Sequence, residues 1–161
     1  MAIIKPFRGY LPPSEIAGKV SSPPYDVLSS DEAREMAQNN PDSFLRIIKP
    51  QIDYMPDSEP CGDFLHEHGA KNLQRYISKG KLVQDENPCL YIYQIKMGNH
   101  TQTGIMAAVS INDYNQGYIK KHEFTRPDKE DDRSRHIEIT NANTGPVFLT
   151  FRNDGEFQKQ I

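Results

Sequence analysis

The sequence has no tryptophan, two cysteines, no apolar run long enough to cross a bilayer and no excess of basic charge. Each absence closes a class of answer. A membrane helix needs about 18 or more consecutive apolar residues, and the opening Met-Ala-Ile-Ile-Lys-Pro-Phe-Arg places charge too early for the apolar core of a signal peptide. No membrane partner is expected, and the cytoplasm is the expected compartment. A net charge of -3 and a pI near 5.9 leave no basic face with which to displace counterions non-specifically, so no nucleic acid is expected as a partner. Cys61 and Cys89 stand in neither C-x-x-C nor Cys/His ligand spacing, which reads as two free thiols in a reducing compartment. Zinc, haem and flavin are not expected. The P-loop, the G-x-G-x-x-G fingerprint, H-E-x-x-H and G-x-S-x-G are all missing, which removes the usual nucleotide, zinc-protease and serine-hydrolase readings.

What is present is polar and rich in turns. The 161 residues are 36% hydrophobic, with twelve prolines and ten glycines, and eight tyrosines and seven phenylalanines supply the aromatic packing. Mean hydropathy is -0.73. The length suits one domain, 1–161, or the N-terminal part of a longer protein, and suffices for a core without disulfide or metal staples.

In chain order, 2–10 reads as a strand running into a turn, and 14–19 as a single helical turn. Pro23 and Pro24 stiffen the backbone that presents Tyr25 and Asp26, either as a ligand-facing loop or as a plain connector. Ser29 and Glu32 stand in capping-box spacing ahead of Ala33, Met36 and Ala37, which predicts a helix stopped by Asn39-Asn40-Pro41. The apolar run 43–48 reads as a buried strand, and 49–62 as a proline-rich loop. A second helix over 64–78 would bury Phe64, Leu65, Leu73, Tyr76 and Ile77. Its His66 and His68, two apart, face different ways and are not expected to share a metal. Residues 89–97 and 101–111 pair as a hairpin around Gly98, a turn occupies 112–117, and further strands are expected at 118–121 and 147–151. The sum is an α+β fold: a mixed or antiparallel sheet of about five to six strands with two to four helices.

The stretch 117–151 draws the functional reading. Between Lys120 and Glu138, twelve of nineteen residues are charged, six of each sign, with His122 and His136 among them. Mixed signs suit ion pairing on a folded surface better than a disordered tail. Thr125 is placed to cap a helix starting near Pro127, and Asp131 and Arg135 stand in i, i+4 spacing. A helix start exposes amides that suit phosphate, with Lys120, Lys121 or Arg126 to offset the acids crowding it. Alternatively, Glu123 with Asp128, Asp131 or Asp132 suits magnesium. His122 is a candidate general base and His136 a second one. Asn141 and Asn143 are candidate contacts for a ligand amide or hydroxyl. The bland alternative is a solvated, salt-bridged helix.

The opening I-I-K-P-F-R-G-Y-L-P, then P-P-Y-D-V-L-S-S-D-E-A-R, N-P-D-S-F-L-R-I, K-K-H-E-F-T with D-R, and N-A-N-T-G-P-V-F together resemble the bacterial domain-of-unknown-function family numbered one thousand and fifteen. The resemblance runs over nearly the whole chain. Longer members carry a later D-G-H-H-R segment similar to the phosphate-handling motif of the ParB and sulfiredoxin superfamily, some of whose members hydrolyse nucleotides or phosphorylate free serine. The resemblance therefore implies a fold that is ParB/sulfiredoxin-like in part and a cleft shared with a segment this chain lacks. It would be faced by Lys121, His122, Glu123, Thr125 and Arg133 and lined by Pro24, Tyr25 and Asp26. The implied activity is a nucleotide-dependent phosphotransferase, kinase-like, acting on a small hydroxyl metabolite such as serine. Glu123 would be base or magnesium ligand and His122 a proton carrier. Lys121, Thr125, Arg126 and Arg133 would hold the phosphates of ATP or another nucleotide. A non-catalytic module that senses a nucleotide or metabolite is the alternative. The expected partner in either case is a small molecule.

Overall fold

The strongest helix signals in the sequence build the core. Helix α2 (Ser30–Ala37) starts on Ser29, whose hydroxyl accepts from the Glu32 amide at 3.2 Å while the Glu32 carboxylate accepts from the Ser29 amide at 2.8 Å. Both halves of the capping box are thus made. Ala33 and Ala37 turn inward, whereas Met36 is exposed. Helix α4 (Asp63–Ser78) ends as Gly80 takes a φ of +65°. The computed structural model describes residues 2–58, 60, 62–121 and 124–152, and their architecture is α+β with six α-helices and six strands.

Between α2 and α4 the structure departs from the sequence reading. The run expected as a strand over 43–48 contains a helical turn, α3 (Leu45–Ile48), with Leu45, Ile47 and Ile48 all buried. A short apolar run carries no period that separates helix from strand. Local side-chain bonds decide the matter. Asn40 Oδ1 accepts from the Asp42 amide at 3.1 Å, and Ser43 Oγ accepts from the Leu45 amide at 3.3 Å, curling the chain into a turn. Tyr76, fully buried on α4, donates its hydroxyl to the Pro41 and Ser43 carbonyls at 3.1 and 3.0 Å. The same burial pushes its phenol pKa up to about 12. Leu45, Ile47, Leu73 and Tyr76 form the centre of the core with Val20, Ala33, Ala37, Ile48, Ile52 and Leu82; each large apolar side chain contributes roughly 1.5–3 kcal/mol by burial.

The proline-rich segment 49–62 is partly ordered by that core. Pro50–Asp53 and Pro56–Ser58 are 3-10 turns, and Ile52 is buried. Asp53 is gripped by Arg46, by the His68 Nε2 at 2.8 Å and by the Asn72 amide nitrogen at 3.1 Å. Burial pushes the Asp53 carboxyl upward, but the hydrogen bonds from His68, Asn72 and Arg46 outweigh it and hold the pKa below the ordinary value.

The strands do not merge into the single sheet of five to six that the sequence suggests. Strand β1 (Ile4–Lys5) pairs with β6 (Ala108–Val109), β2 (Tyr10–Leu11) with β3 (Val83–Gln84), and β4 (Tyr91–Met97) with β5 (His100–Met106). All are antiparallel, in three separate two-stranded sheets. Four of the six strands are only two residues long, too short to carry a continuous ladder. The β4–β5 hairpin has the expected position and turns at Gly98, with φ +58°. It is joined to the N-terminal segment through Tyr91, whose hydroxyl donates to Asp85 Oδ2 at 2.5 Å and accepts from the Gly9 amide at 2.7 Å.

Past the hairpin, helix α5 (Ile111–Asn115) replaces the expected turn. Asp113, buried on it, accepts from the Ile3 amide at 2.7 Å through its carboxylate, and its carbonyl accepts from the Tyr118 and Ile119 amides at 2.9 and 3.3 Å. Those amide bonds wrap the chain around the end of α5, so 118–121 is not a strand. Helix α6 (Pro127–Thr140) follows, with Pro127 in its first turn as expected. Its N-cap is Arg126 and not Thr125, and no side chain caps it. Residues 147–151 form no strand; Val147 and Phe148 are exposed by 80% and 69%. No helix among the described residues is long and apolar enough to cross a membrane.

Candidate functional site

Helix α6 packs on α4 through a polar face. Arg133, His136 and Thr140 repeat at helical spacing, and His136 and Thr140 are buried. Helix α4 also meets α3 closely because position 69 is glycine: a Cβ there would stand 2.7 Å from the Ile47 carbonyl, while His136 Cε1 on α6 would lie at an ordinary contact distance of 3.6 Å. His136 offers Nε2 to Thr144 Oγ1 at 3.1 Å, while its Nδ1 is buried without a hydrogen-bond partner. Burial, reinforced by Arg133 and His66, pushes its pKa down to about 4, so the ring is neutral near pH 7. Thr140 caps the interface from within by donating to the His136 carbonyl at 2.6 Å.

Where the N-terminal half of α6 leaves α4, a cleft of about 260 Å³ opens. Its walls come from four places. The turn Tyr25–Val27, stiffened by the two prolines before it, supplies Tyr25. The end of α3 and the turn after it supply Lys49, Pro50 and Gln51, the first turn of α4 supplies Leu65 and His66, and α6 supplies Lys129, Asp132 and Arg133. The last three stand at i, i+3 and i+4, so one face of the helix carries them together. The Arg133 guanidinium lies over the Tyr25 ring, 4.3 Å from its centroid, a favourable cation–π placement. Arg133 also donates to Asp132 Oδ2 from Nη2 at 2.7 Å and from Nε at 3.1 Å. The other carboxylate oxygen, Oδ1, is 3.5 Å from His66 Nε2, and the His66 ring meets His136 edge-on at 5.6 Å.

The field in this cleft is positive. Among the described residues, Asp132 is the only carboxylate lining it, against Lys49, Lys129 and Arg133. Lys49 and Lys129 have no described carboxylate within ion-pair distance. Burial lowers the Lys49 pKa, and Lys129 and Arg133 lower it further, with Asp26 acting the other way.

Of the residues singled out in the sequence, the cleft brings together Tyr25, Asp132 and Arg133, with Asp26 exposed beside them. The others are elsewhere. Lys121 sits over the Tyr114 ring at 4.8 Å, and Tyr114 holds its pKa above the ordinary value. Arg126 forms an exposed two-pronged pair with Asp128, at 3.1 and 2.7 Å, and Thr125 is exposed. Asn141 ends α6 in the left-handed conformation, φ +51°, and Asn143 accepts from the Gly145 amide at 3.4 Å. His122, Glu123 and Cys61 lie outside the described residues. The expected Asp131–Arg135 pair is replaced: Arg135 donates to Asp63 on α4 at 2.8 and 2.6 Å, and to Glu138 at 3.1 Å. A carboxylate on the facing helix offers both oxygens to the guanidinium fork, which one turn of the same helix does not.

Lys49, His66 and Lys129 were not singled out by sequence reasoning for this site, whereas Asp132 was named as one of the carboxylates suited to magnesium. Lys49 sat in a segment read as loop, and His66 on a helix read for its apolar stripe. The signal that was there is the Lys129–Asp132–Arg133–His136 spacing, a polar face of one helix.

No curated protein and no solved structure matches the chain. The family described as "Protein of unknown function (DUF1015)" matches residues 4–161. Nearly the whole chain is covered, and the protein belongs to that family.

Proposed function

We propose that the cleft binds a phosphoryl-bearing small molecule, as part of a nucleotide-dependent phosphotransferase acting on a small hydroxyl metabolite, for example an amino acid such as serine. The observation that carries this reading is the convergence of Lys49, Lys129 and Arg133 on a cleft with one described carboxylate. Phosphoryl transfer asks a protein chiefly for positioning and for charge that meets the transferring group. Three cations held by α3, α6 and the Tyr25 stack supply both without reorganising. Magnesium fits the proposal in a limited way: it commonly takes one or two carboxylates plus the phosphates of its substrate. Asp132 is the described carboxylate placed to contribute. When bound, the ion would neutralise phosphate charge. Glu123, as base or magnesium ligand, and His122, as proton carrier, belong to the same proposal, as does the partial likeness to the ParB and sulfiredoxin superfamily.

The test is to incubate the protein with Mg-ATP and a panel of hydroxyl metabolites that includes serine, following phosphate monoesters by phosphorus NMR. The reading expects a new monoester, and a loss of about tenfold or more in kcat/KM for Lys129→Met and Arg133→Met, since each removes a charge-assisted contact. Glu123→Gln and His122→Ala test the two catalytic roles; unchanged turnover removes those roles. A second reading draws on Asp132, whose carboxylate is already engaged by Arg133 and faces His66. A base so occupied suits a non-catalytic module that senses a nucleotide or metabolite. Saturable binding with no product would establish that module and end the enzyme reading.

A further inference from the structure

The geometry points to a small phosphate monoester in its dianionic form as the ligand of this cleft, with the body of any nucleotide lying outside it. The inference rests on the reading of the cleft as a phosphoryl site and narrows it. Two observations carry it. The first is size: about 260 Å³ falls below the ~300–1,000 Å³ of pockets that enclose drug-sized ligands. A phosphate with a few carbons fits within the walls. A nucleoside triphosphate would place its base and sugar outside them.

The second observation is charge. Three cations against one carboxylate leave two positive charges on the described lining, the His66 imidazole aside. A phosphate monoester carries about -1.5 to -2 at pH 7 and balances that surplus. A carboxylate or phosphodiester, with a single charge, leaves part of it unmet, and a triphosphate overshoots. The arrangement of the cations agrees. Lys129 and Arg133 come from α6 and Lys49 from the residue that ends α3, so two separate elements bring their cations to one small cleft, near enough for Lys129 and Arg133 to act on Lys49. Arg133 is fixed between the Tyr25 ring and Asp132, which aims its remaining donors and keeps the planar group from swinging to solvent. Gln51 is tied on the same wall, its amide nitrogen donating to Ser30 Oγ at 3.2 Å. Leu65 and Pro50 provide the apolar surface that would meet a short carbon chain.

The experiment is a calorimetric titration of the protein at pH 8 with four probes: glycerol 3-phosphate, dimethyl phosphate, lactate and Mg-ATP. Amide NMR locates each. Glycerol 3-phosphate is expected to bind about tenfold or more tighter than dimethyl phosphate or lactate, and to move the signals of His66, Lys129 and Arg133. Lys49→Met and Lys129→Met, both checked for native circular dichroism, should each weaken it about tenfold. Equal binding of lactate or dimethyl phosphate, or Mg-ATP competing for the cleft with its adenine in contact with Tyr25 or Leu65, overturns the inference. The two proposals separate cleanly. A cleft that ignores glycerol 3-phosphate while ATP-dependent product still forms removes this one alone. Tight monoester binding without product removes the enzyme reading and leaves the ligand class standing.

Discussion

The helical side of the molecule and the hairpin side treat their apolar residues in opposite ways. On α2, α3 and α4 the large side chains are closed off: Leu45, Ile47 and Tyr76 are 0% exposed. On β4, Tyr93, Ile95 and Met97 share one face of the hairpin and Ile92 takes the other, and all four are exposed. Both sides contain confident secondary structure, so the contrast does not come from propensity. It comes from what packs on what: α3 lies between α2 and α4, whereas the hairpin pairs only with itself among the described strands. A regular element and a buried element are different things, and the candidate cleft was built on the buried ones.

The most severe way to test the contrast is to truncate one residue on each side. Leu45→Ala should cost about 2–5 kcal/mol in urea denaturation, from lost transfer and a residual cavity. Ile92→Ala should stay within about 0.5 kcal/mol. Equal losses would mean that the hairpin is covered in solution. Next in size is Gly69→Ala. The new methyl meets a backbone carbonyl that cannot rotate away, and overpacking of this kind costs roughly 1–3 kcal/mol. Because α3, which leads directly into Lys49, would be pushed from α4, the same variant should weaken ligand binding in the cleft, which an unrelated surface change would not do.

A smaller effect is a pH dependence confined to the helical side. His136 has a folded pKa near 4 against 6.5 in the unfolded chain. Its folded pKa is lowered, so the unfolded state binds the extra proton between those values. The stability contributed by keeping the ring neutral is complete above pH 6.5 and lost progressively as pH falls toward 4. Below 4 the term no longer changes. His136→Phe should flatten the denaturation midpoint between pH 6.5 and 4. Below that window Asp53 takes over: its lowered pKa gives stability that disappears as pH falls through the folded value, and Asp53→Asn should remove that acid limb. The slightest change expected is at the exposed Arg135–Asp63 pair, where Asp63→Asn should move the midpoint little and less still at high salt.

How much of this was legible in the sequence follows from which interactions are local. The capping box at Ser29 and Glu32, the glycine turn at 98 and the proline start of α6 are written within a few residues, and the structure has them. The position of the hairpin was also legible, from tyrosine and isoleucine density. The failures are non-local. The isoleucines of 43–48 look like a strand until Asn40 and Ser43 curl the chain. Val147-Phe148-Leu149 look buried until one asks what covers them. The cleft was half visible. Tyr25 was found through its prolines and Arg133 through the mixed-charge ribbon, but Lys49 and His66 reach the site only because α4 meets α3 through a glycine and α6 through a polar face. Hydropathy does not register a polar face.

Asp113 also has a bearing on the functional stretch. Its carboxylate holds the first strand by the Ile3 amide, and its carbonyl steers the chain at Tyr118 and Ile119 toward the ribbon that leads into α6. One residue therefore serves as a hinge pin for two distant doors. Disturbing the outset of the polypeptide should be felt more than a hundred positions later, in how the chain leaves α5 at Tyr118 and Ile119.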